Sequence, residues 1–237
     1  MPVLSCPPQN ALLAVLPNEV MERLSPKLQR VQMPAGSVVF EPGVPMRGVF
    51  FPESAVVAMS FVMENGGSAE VALIGREGMV GVRLLLGDST LNVRASVQSA
   101  GSGLKLPAEC LLAEVGRGGA LMHVLLQYTA SYIGQIVQTA ACNRHGTVEQ
   151  RLCRWLLLSL DRMPSTELTM THEAIADALG VKREGITEAA CKLRRQGAIR
   201  YQRGHIEVLD RAFLETRTGE FYQHGNGEAA RQAVGAH

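Results

Sequence analysis

The sequence predicts an α+β chain with its strands and helices in separate blocks. Three observations carry this. Short runs rich in valine and phenylalanine, set apart by glycine and proline, fill Met33 to about Pro107. From Ala120 a span of more than twenty residues follows without proline, and no charged side chain lies between Leu121 and Asn143. Beyond it, short helical periods close on a glycine-centred strand pair, with cations gathered on the last of them.

The strand-like runs are SVVF, GVFF, AVVAMSFVM, AEVALI and RASVQ. Pro34, Gly36, Pro42, Gly43, Pro45 and Gly48 punctuate the first of them. Asn65-Gly66 is a hairpin signal, because both residues tolerate positive φ. Several short strands at this spacing imply a compact barrel-like or roll-like β domain.

In the long helical span Leu125, Tyr128, Tyr132, Ile136 and Thr139 recur at steps of three and four, one stripe down a helix. A long helix with no charge on any face buries against something on both sides. The β domain takes one side, and a second copy of the chain is the natural candidate for the other; burial inside one large monomer is the plainer alternative. These five residues are assigned to a dimer helix, and a charge at Tyr132 or Ile136 is expected to split the pair. A second run, TVEQRLCRWLLLSLDRM, aligns Val148, Leu152, Trp155, Leu156 and Ser159 on one face and ends at Pro164. The boundary between the β-containing and C-terminal parts is placed between Asn143 and Thr147.

Composition narrows the class. The 237 residues are 46% hydrophobic with a formal net charge of +1, the profile of an ordinary globular protein. Apolar stretches are broken well before the ~18 residues a membrane span needs. MPVLSCPPQN lacks the basic and apolar regions of a signal peptide, so a cytoplasmic protein without membrane contact is expected. Cys6, Cys110, Cys142, Cys153 and Cys191 are scattered and form no C-x-x-C pair, which argues against disulfides or a zinc module. Charge is distributed unevenly. The first 120 residues balance nine basic against ten acidic side chains, whereas Lys182 to His205 holds seven cations against Glu184 and Glu188.

That local field sits on a recognisable constellation. Thr171 can cap a helix whose inner face is Ile175, Ala178 and Leu179, with Ala174 and Ala178 small enough for close packing. Gly180 closes it with a left-handed turn. The next helix turns Ile186, Ala190 and Leu193 inward, and Arg183, Glu184, Thr187, Glu188 and Lys192 outward. This is helix–turn–helix spacing, in which the first turns of the second helix reach base edges in the major groove. Arg can grip guanine O6 and N7, and Glu can accept from the cytosine amino group. Lys192, Arg194 and Arg195 suit phosphates. IRYQRGHIEV reads as a wing turning at Arg203-Gly204-His205.

With these residues in place the chain resembles the Crp/Fnr family of bacterial transcription regulators from about Leu12 to Phe213. Pro34-Ala35-Gly36 and Gly43 match turn glycines of that family's β-roll, and Arg183 and Glu184 fall on its base-reading pair. Glu188 stands where the catabolite activator protein carries a second base-reading arginine, which alters the expected half-site. The resemblance implies an N-terminal double-stranded β-helix or β-roll (jelly-roll-like), a long dimerisation helix and a C-terminal winged helix-turn-helix. The expected parts are an effector domain over 12–119, the dimerisation helix and hinge over 120–146, the DNA-binding domain over 147–217 and a flexible tail over 218–237. A homodimer on a palindrome of double-stranded DNA follows. The DNA-facing set is Thr171, His172, Lys182, Arg183, Glu184, Thr187, Glu188, Lys192, Arg203 and His205.

The effector side departs from the family. Cyclic-nucleotide members hold the phosphate with a Gly-Glu pair followed, some ten residues on, by Arg-Ser. Here Gly81 precedes Val82, and Ser89-Thr90 stand at the Arg-Ser position, with Arg83 as the remaining cation. Gly81, Val82, Arg83, Ser89 and Thr90 are the candidate effector pocket, and cAMP is not expected to bind in the usual way. No cofactor is required. An iron–sulfur cluster lacks its cysteines, haem would need His123, His145 or Cys110 as an axial ligand, and Gly75-Arg76-Glu77-Gly78 lacks a P-loop ending. An unidentified small molecule remains a candidate effector. Activation would bring in RNA polymerase, for which no stretch marks a surface. An enzyme is not expected: no nucleophile–base pair is present, and His172-Glu173 lacks the second histidine of a zinc protease. A module whose winged domain binds protein instead of DNA is the competing function, and the salt dependence of DNA binding separates the two.

Overall fold

The computed structural model describes residues 7–64, 66–87, 93–163, 165–202 and 204–222. It opens with α1 (Ala11–Ala14) and α2 (Asn18–Leu24). Buried Asn10 anchors this start: its Oδ1 accepts from the Leu12 and Leu13 N–H groups, and its Nδ2 donates to the carbonyls of Pro52 and Gly78.

The β domain follows, with β1 (Gln29–Met33), β2 (Val38–Phe40), β3 (Gly48–Pro52), β4 (Val56–Val62), β5 (Ser68–Ile74), β6 (Val93–Ser99) and β7 (Gly101–Pro107). They form two antiparallel sheets, ordered β1-β7-β3 and β2-β6-β4-β5. Cross-strand pairs build the interior: Val49 opposes Leu106 and Phe51 opposes Leu104, and all four are fully buried. Gly48 has no room for a side chain, because a Cβ there would lie 2.7 Å from the Leu106 carbonyl oxygen. The expected hairpin joins β4 and β5, with Gly66 at φ 85°; Asn65 lies outside the described residues.

α3 (Ala108–Val115) leads into α4 (Ala120–His145), which ends where Gly146 donates to the Cys142 carbonyl. Thr147 restarts the chain as α5 (Val148–Leu160) through a reciprocal capping box with Gln150. Pro164, expected to stop that helix, lies outside the described residues; α5 is already capped at Asp161.

The orientation of α4 corrects the expected dimer stripe. Leu125 and Tyr128 are buried in the core of their own β domain, and Tyr132 and Ile136 pack against it. Thr139 turns its hydroxyl back to the Gln135 carbonyl and lines the junction with α5. The opposite face leaves Leu126, Ile133 and Val137 half or more exposed. Periodicity finds an apolar stripe on a helix that is apolar on two faces, but it cannot say which one the chain covers itself. Tyr128 takes the inner face because its hydroxyl can donate to the Met79 carbonyl there, at 3.1 Å.

The remaining elements are β8 (Glu167–Thr169), α6 (His172–Leu179), α7 (Arg183–Arg195), β9 (Ile199–Gln202), β10 (His205–Val208) and α8 (Arg211–Thr218). β8-β10-β9 make a small antiparallel sheet. β8 is a strand outside the runs read from the sequence, added just ahead of the helix that Thr171 caps. A second core gathers Leu152, Leu156, Ile175, Ile186, Leu193 and Ile206. This unit docks on the outer face of the β domain, where Leu158 of α5 meets Val56, Ala58 and Leu73. Arg162 fixes the contact, pairing with Glu77 at 2.8 Å and donating to Gln135 Oε1 and the Leu158 carbonyl.

Candidate nucleic-acid interface

The helix pair is positioned from below. Thr171 caps α6 by accepting from the Ala174 N–H. Ile175 and Ala176 face inward, while Ala178 is half-buried and Ala174 exposed, so the helix is turned slightly from the expected face. Gly180 sits at φ 62° in the left-handed region, as the turn requires. Ile186, Ala190 and Leu193 of α7 are buried, which aims Arg183, Glu184, Thr187, Glu188 and Lys192 outward.

At the exposed tip, Lys182 stands at the N-cap of α7 without a side-chain cap bond. Arg183 lies 3.6 Å from Glu173 of α6, both about two-thirds exposed, a contact too loose and wet to immobilise the guanidinium. Glu184 occupies the first turn, where a helix N-terminus favours a carboxylate. Thr187 donates to the Arg183 carbonyl and lies 3.1 Å from His172 Nδ1. Since the Thr187 proton is committed to that carbonyl, His172 must supply the proton of the second bond through Nδ1. The His172 ring stacks on Tyr201 of β9 with centroids 4.2 Å apart, and its Nε2 is buried without a partner. Burial, helped by Arg183, lowers the His172 pKa and keeps the ring neutral.

Behind the tip the cations differ in availability. Lys192, expected to meet phosphate, pairs with Glu149 of α5 at 2.5 Å, and Arg217 of α8 holds the same carboxylate at 2.8 Å. Arg194 and Arg195 are exposed. On the wing, Arg200 pairs with Glu207, and His205 Nδ1 lies 3.2 Å from Thr169 Oγ1. Arg203 lies outside the described residues. Sequence reasoning did not find Glu173, Glu149 or Tyr201; each joins the site through a contact at least ten residues distant in the chain, which no local pattern signals.

The effector positions lie elsewhere in the β domain. Gly81 takes φ 108° and heads a 3-10 turn over Val82–Leu86, and a Cβ on it would meet Val49 at 2.9 Å. Val82 and Leu84 point into the core, so Val82 offers no hydrogen-bonding atom where a carboxylate is needed. Arg83 is half-buried. Ser89 and Thr90 lie outside the described residues. Beside α4, the cavity among Tyr128, Ser131, Gln135 and Arg162 is about 20 Å³, room for a single water. Among the described residues no three His, Cys, Asp or Glu side chains gather as a metal site.

Comparison with known proteins matches this geometry. The family model for the cyclic nucleotide-binding domain matches residues 30–116, and that for the Crp-like helix-turn-helix domain matches 150–217. The transcriptional regulator LdrP of Thermus thermophilus is 30% identical over 132 residues, half of this chain and 68% of that protein. This chain belongs to the Crp/Fnr family. It is a DNA-binding transcription regulator. The global nitrogen regulator of Synechococcus elongatus is 28% identical over 192 residues, covering 77% of this chain and 86% of its own length. A Crp/Fnr regulator structure from Eubacterium rectale superposes with a TM-score of 0.68 at 19% identity, over 86% of this chain and 95% of that one. Another from Thermus thermophilus gives 0.65 at 23%, over 82% and 100%. These two share the fold of the present regulator. No helix among its described residues is long and apolar enough to cross a membrane.

Proposed function

We propose that this regulator acts in the cytoplasm as a homodimer on a palindromic site, reading each half-site with the first turns of α7. The observation that carries the reading is the exposed tip of α7, where Arg183, Glu184, Thr187 and Glu188 point outward from a helix seated by Ile186, Ala190 and Leu193. Arg183 and Glu184 suit a guanine and a cytosine, and Glu188 replaces a donor with an acceptor one turn on. Lys182, Arg194, Arg195 and the wing serve the phosphates. The exposed stripe Leu126, Ile133 and Val137 supplies the dimer contact, because an apolar stripe on an uncharged helix is covered most economically by its own copy.

The β domain, with the bounds 12–119, serves as an effector or scaffold domain that does not take cAMP in the usual manner. Val82 in the core and the serine–threonine pair at the phosphate-binding position support this. RNA polymerase enters only if the regulator activates.

The test is selection of bound duplexes from a random library with purified full-length protein and no added ligand. Enrichment of a two-fold palindrome supports the reading. A folded dimer that enriches nothing, both alone and in cell extract, overturns it. Affinity that does not fall with salt would point to protein contacts for the winged domain.

A further inference from the structure

Past α8 the chain turns back on the molecule. Gly219–Phe221 form a 3-10 turn that lies beside α4, and Tyr222 follows, half-buried. These residues lie beyond position 217, where the match to the Crp-like helix-turn-helix domain ends. The reversal begins at Gly219, whose φ of 57° and ψ of −134° would strain any residue with a side chain.

Polar bonds fix the segment to the C-terminal domain. Arg154 of α5 donates its Nε to the Phe221 carbonyl at 2.9 Å. Arg154 is only 5% exposed, so little water reaches it to replace that bond. The Tyr222 hydroxyl donates to Asp161 Oδ2 at 2.9 Å and accepts from Arg211 Nη2 at 2.6 Å. The same Nη2 pairs with Asp161 Oδ1 at 2.6 Å, which closes a ring of three side chains. The apolar contacts reach further. Tyr222 packs on the C-terminal core and also on the cluster where Leu158 of α5 meets Val56, Ala58 and Leu73 of the β domain.

The corner that this segment spans is a hinge. α4 stops at His145, α5 starts at Val148, and Gly146 between them is extended, with φ −77° and ψ 145°. Two helices joined through so few residues can rock unless something crosses the corner. Arg162 ties the end of α5 to the β domain, and residues 219–222 tie α8 back toward α4. We propose that residues 219–222 are a brace that fixes the angle between α4 and the C-terminal domain, and with it the separation of the two recognition helices in a dimer. The proposal rests on the dimeric reading above, because a single copy has no separation to set. In the braced arrangement the tip of α7 stays exposed, so it is an arrangement that can read DNA. Helices held at a fixed separation bind half-sites of one spacing best, whereas loosened helices lose affinity there and accept other spacings.

Full-length protein is titrated with the palindrome that wild type selects, with the same half-sites moved together or apart, and with a single half-site. Tyr222→Ala should reduce the preference for the selected spacing by about fivefold or more, while binding the single half-site almost as wild type does. Gly219→Ala, which strains the turn without removing a contact, should act in the same direction. Unchanged spacing preference in both variants overturns the proposal. An equal loss on every duplex, the single half-site included, also overturns it, because that marks a general loss of fold. Hydrogen exchange without DNA tests the brace apart from the dimer. Protection of the amides at the corner between α4 and α5 should fall in Tyr222→Ala while that of α7 holds; equal protection at the corner overturns the brace. If wild type selects no palindrome but that protection falls, the dimeric reading fails and the brace stands.

Discussion

Arg183 and His172 show how single side chains divide the work at the tip of α7. Arg183 is held only by an exposed contact with Glu173, so its guanidinium can exchange that partner for a guanine edge at little cost. Arg183→Ala should therefore lose about 1–3 kcal/mol on the selected site while binding random duplex almost unchanged. Equal losses on both, measured by titration at fixed salt, would assign Arg183 to phosphate. His172 is enclosed instead, stacked on Tyr201 and bonded to Thr187. Its pKa is lowered in the folded state, so the neutral ring is favoured there. The stability it contributes is present above the unfolded value near 6.5 and is lost progressively as pH falls below it and through the lowered folded value. Wild type should lose more melting temperature than His172→Phe between pH 7.5 and 5.5; parallel losses would mean the ring does not titrate with folding.

For the helices, what the sequence made legible depends on whether a partner is local. The inward triplet Ile186, Ala190 and Leu193 could be read from spacing alone, because one face of α7 is apolar and the other is not. The turn at Gly180 was equally legible, since a positive φ restricts residue choice. α4 was not, because both of its faces are apolar, and the stripe of Leu125, Tyr128, Tyr132 and Ile136 turned out to serve the chain's own core. The two faces now predict different outcomes. Ile133→Glu should halve the mass seen by light scattering while leaving the melting temperature of the β domain nearly intact. Tyr132→Glu should lower that melting temperature through a charge forced into a packed site. A dimer that persists in Ile133→Glu would place the contact elsewhere.

Across the whole molecule, two cores are joined by a polar anchor that no periodicity could reveal, since Arg162, Gln135 and Glu77 come from three separate segments. Arg162 is nearly buried, its guanidinium faces the Glu77 carboxylate, and Gly75 stands aside for its stem, where a Cβ would come within 2.8 Å. Such a pair costs much to break, because the remaining carboxylate stays enclosed without its cation. Arg162→Ala should destabilise the docked arrangement by about 3–5 kcal/mol, and Arg162→Met with Glu77→Gln by less, since the double change leaves no orphan charge. Calorimetry separates the effect from a general loss of stability. Wild type should melt in one transition because docking couples the cores, whereas Arg162→Ala should melt in two, with the core around Leu152, Ile175 and Ile186 keeping its own transition. A single transition shifted to lower temperature would mean that Leu158, Leu73 and their neighbours dock the domains unaided, with Arg162 only adding to their stability.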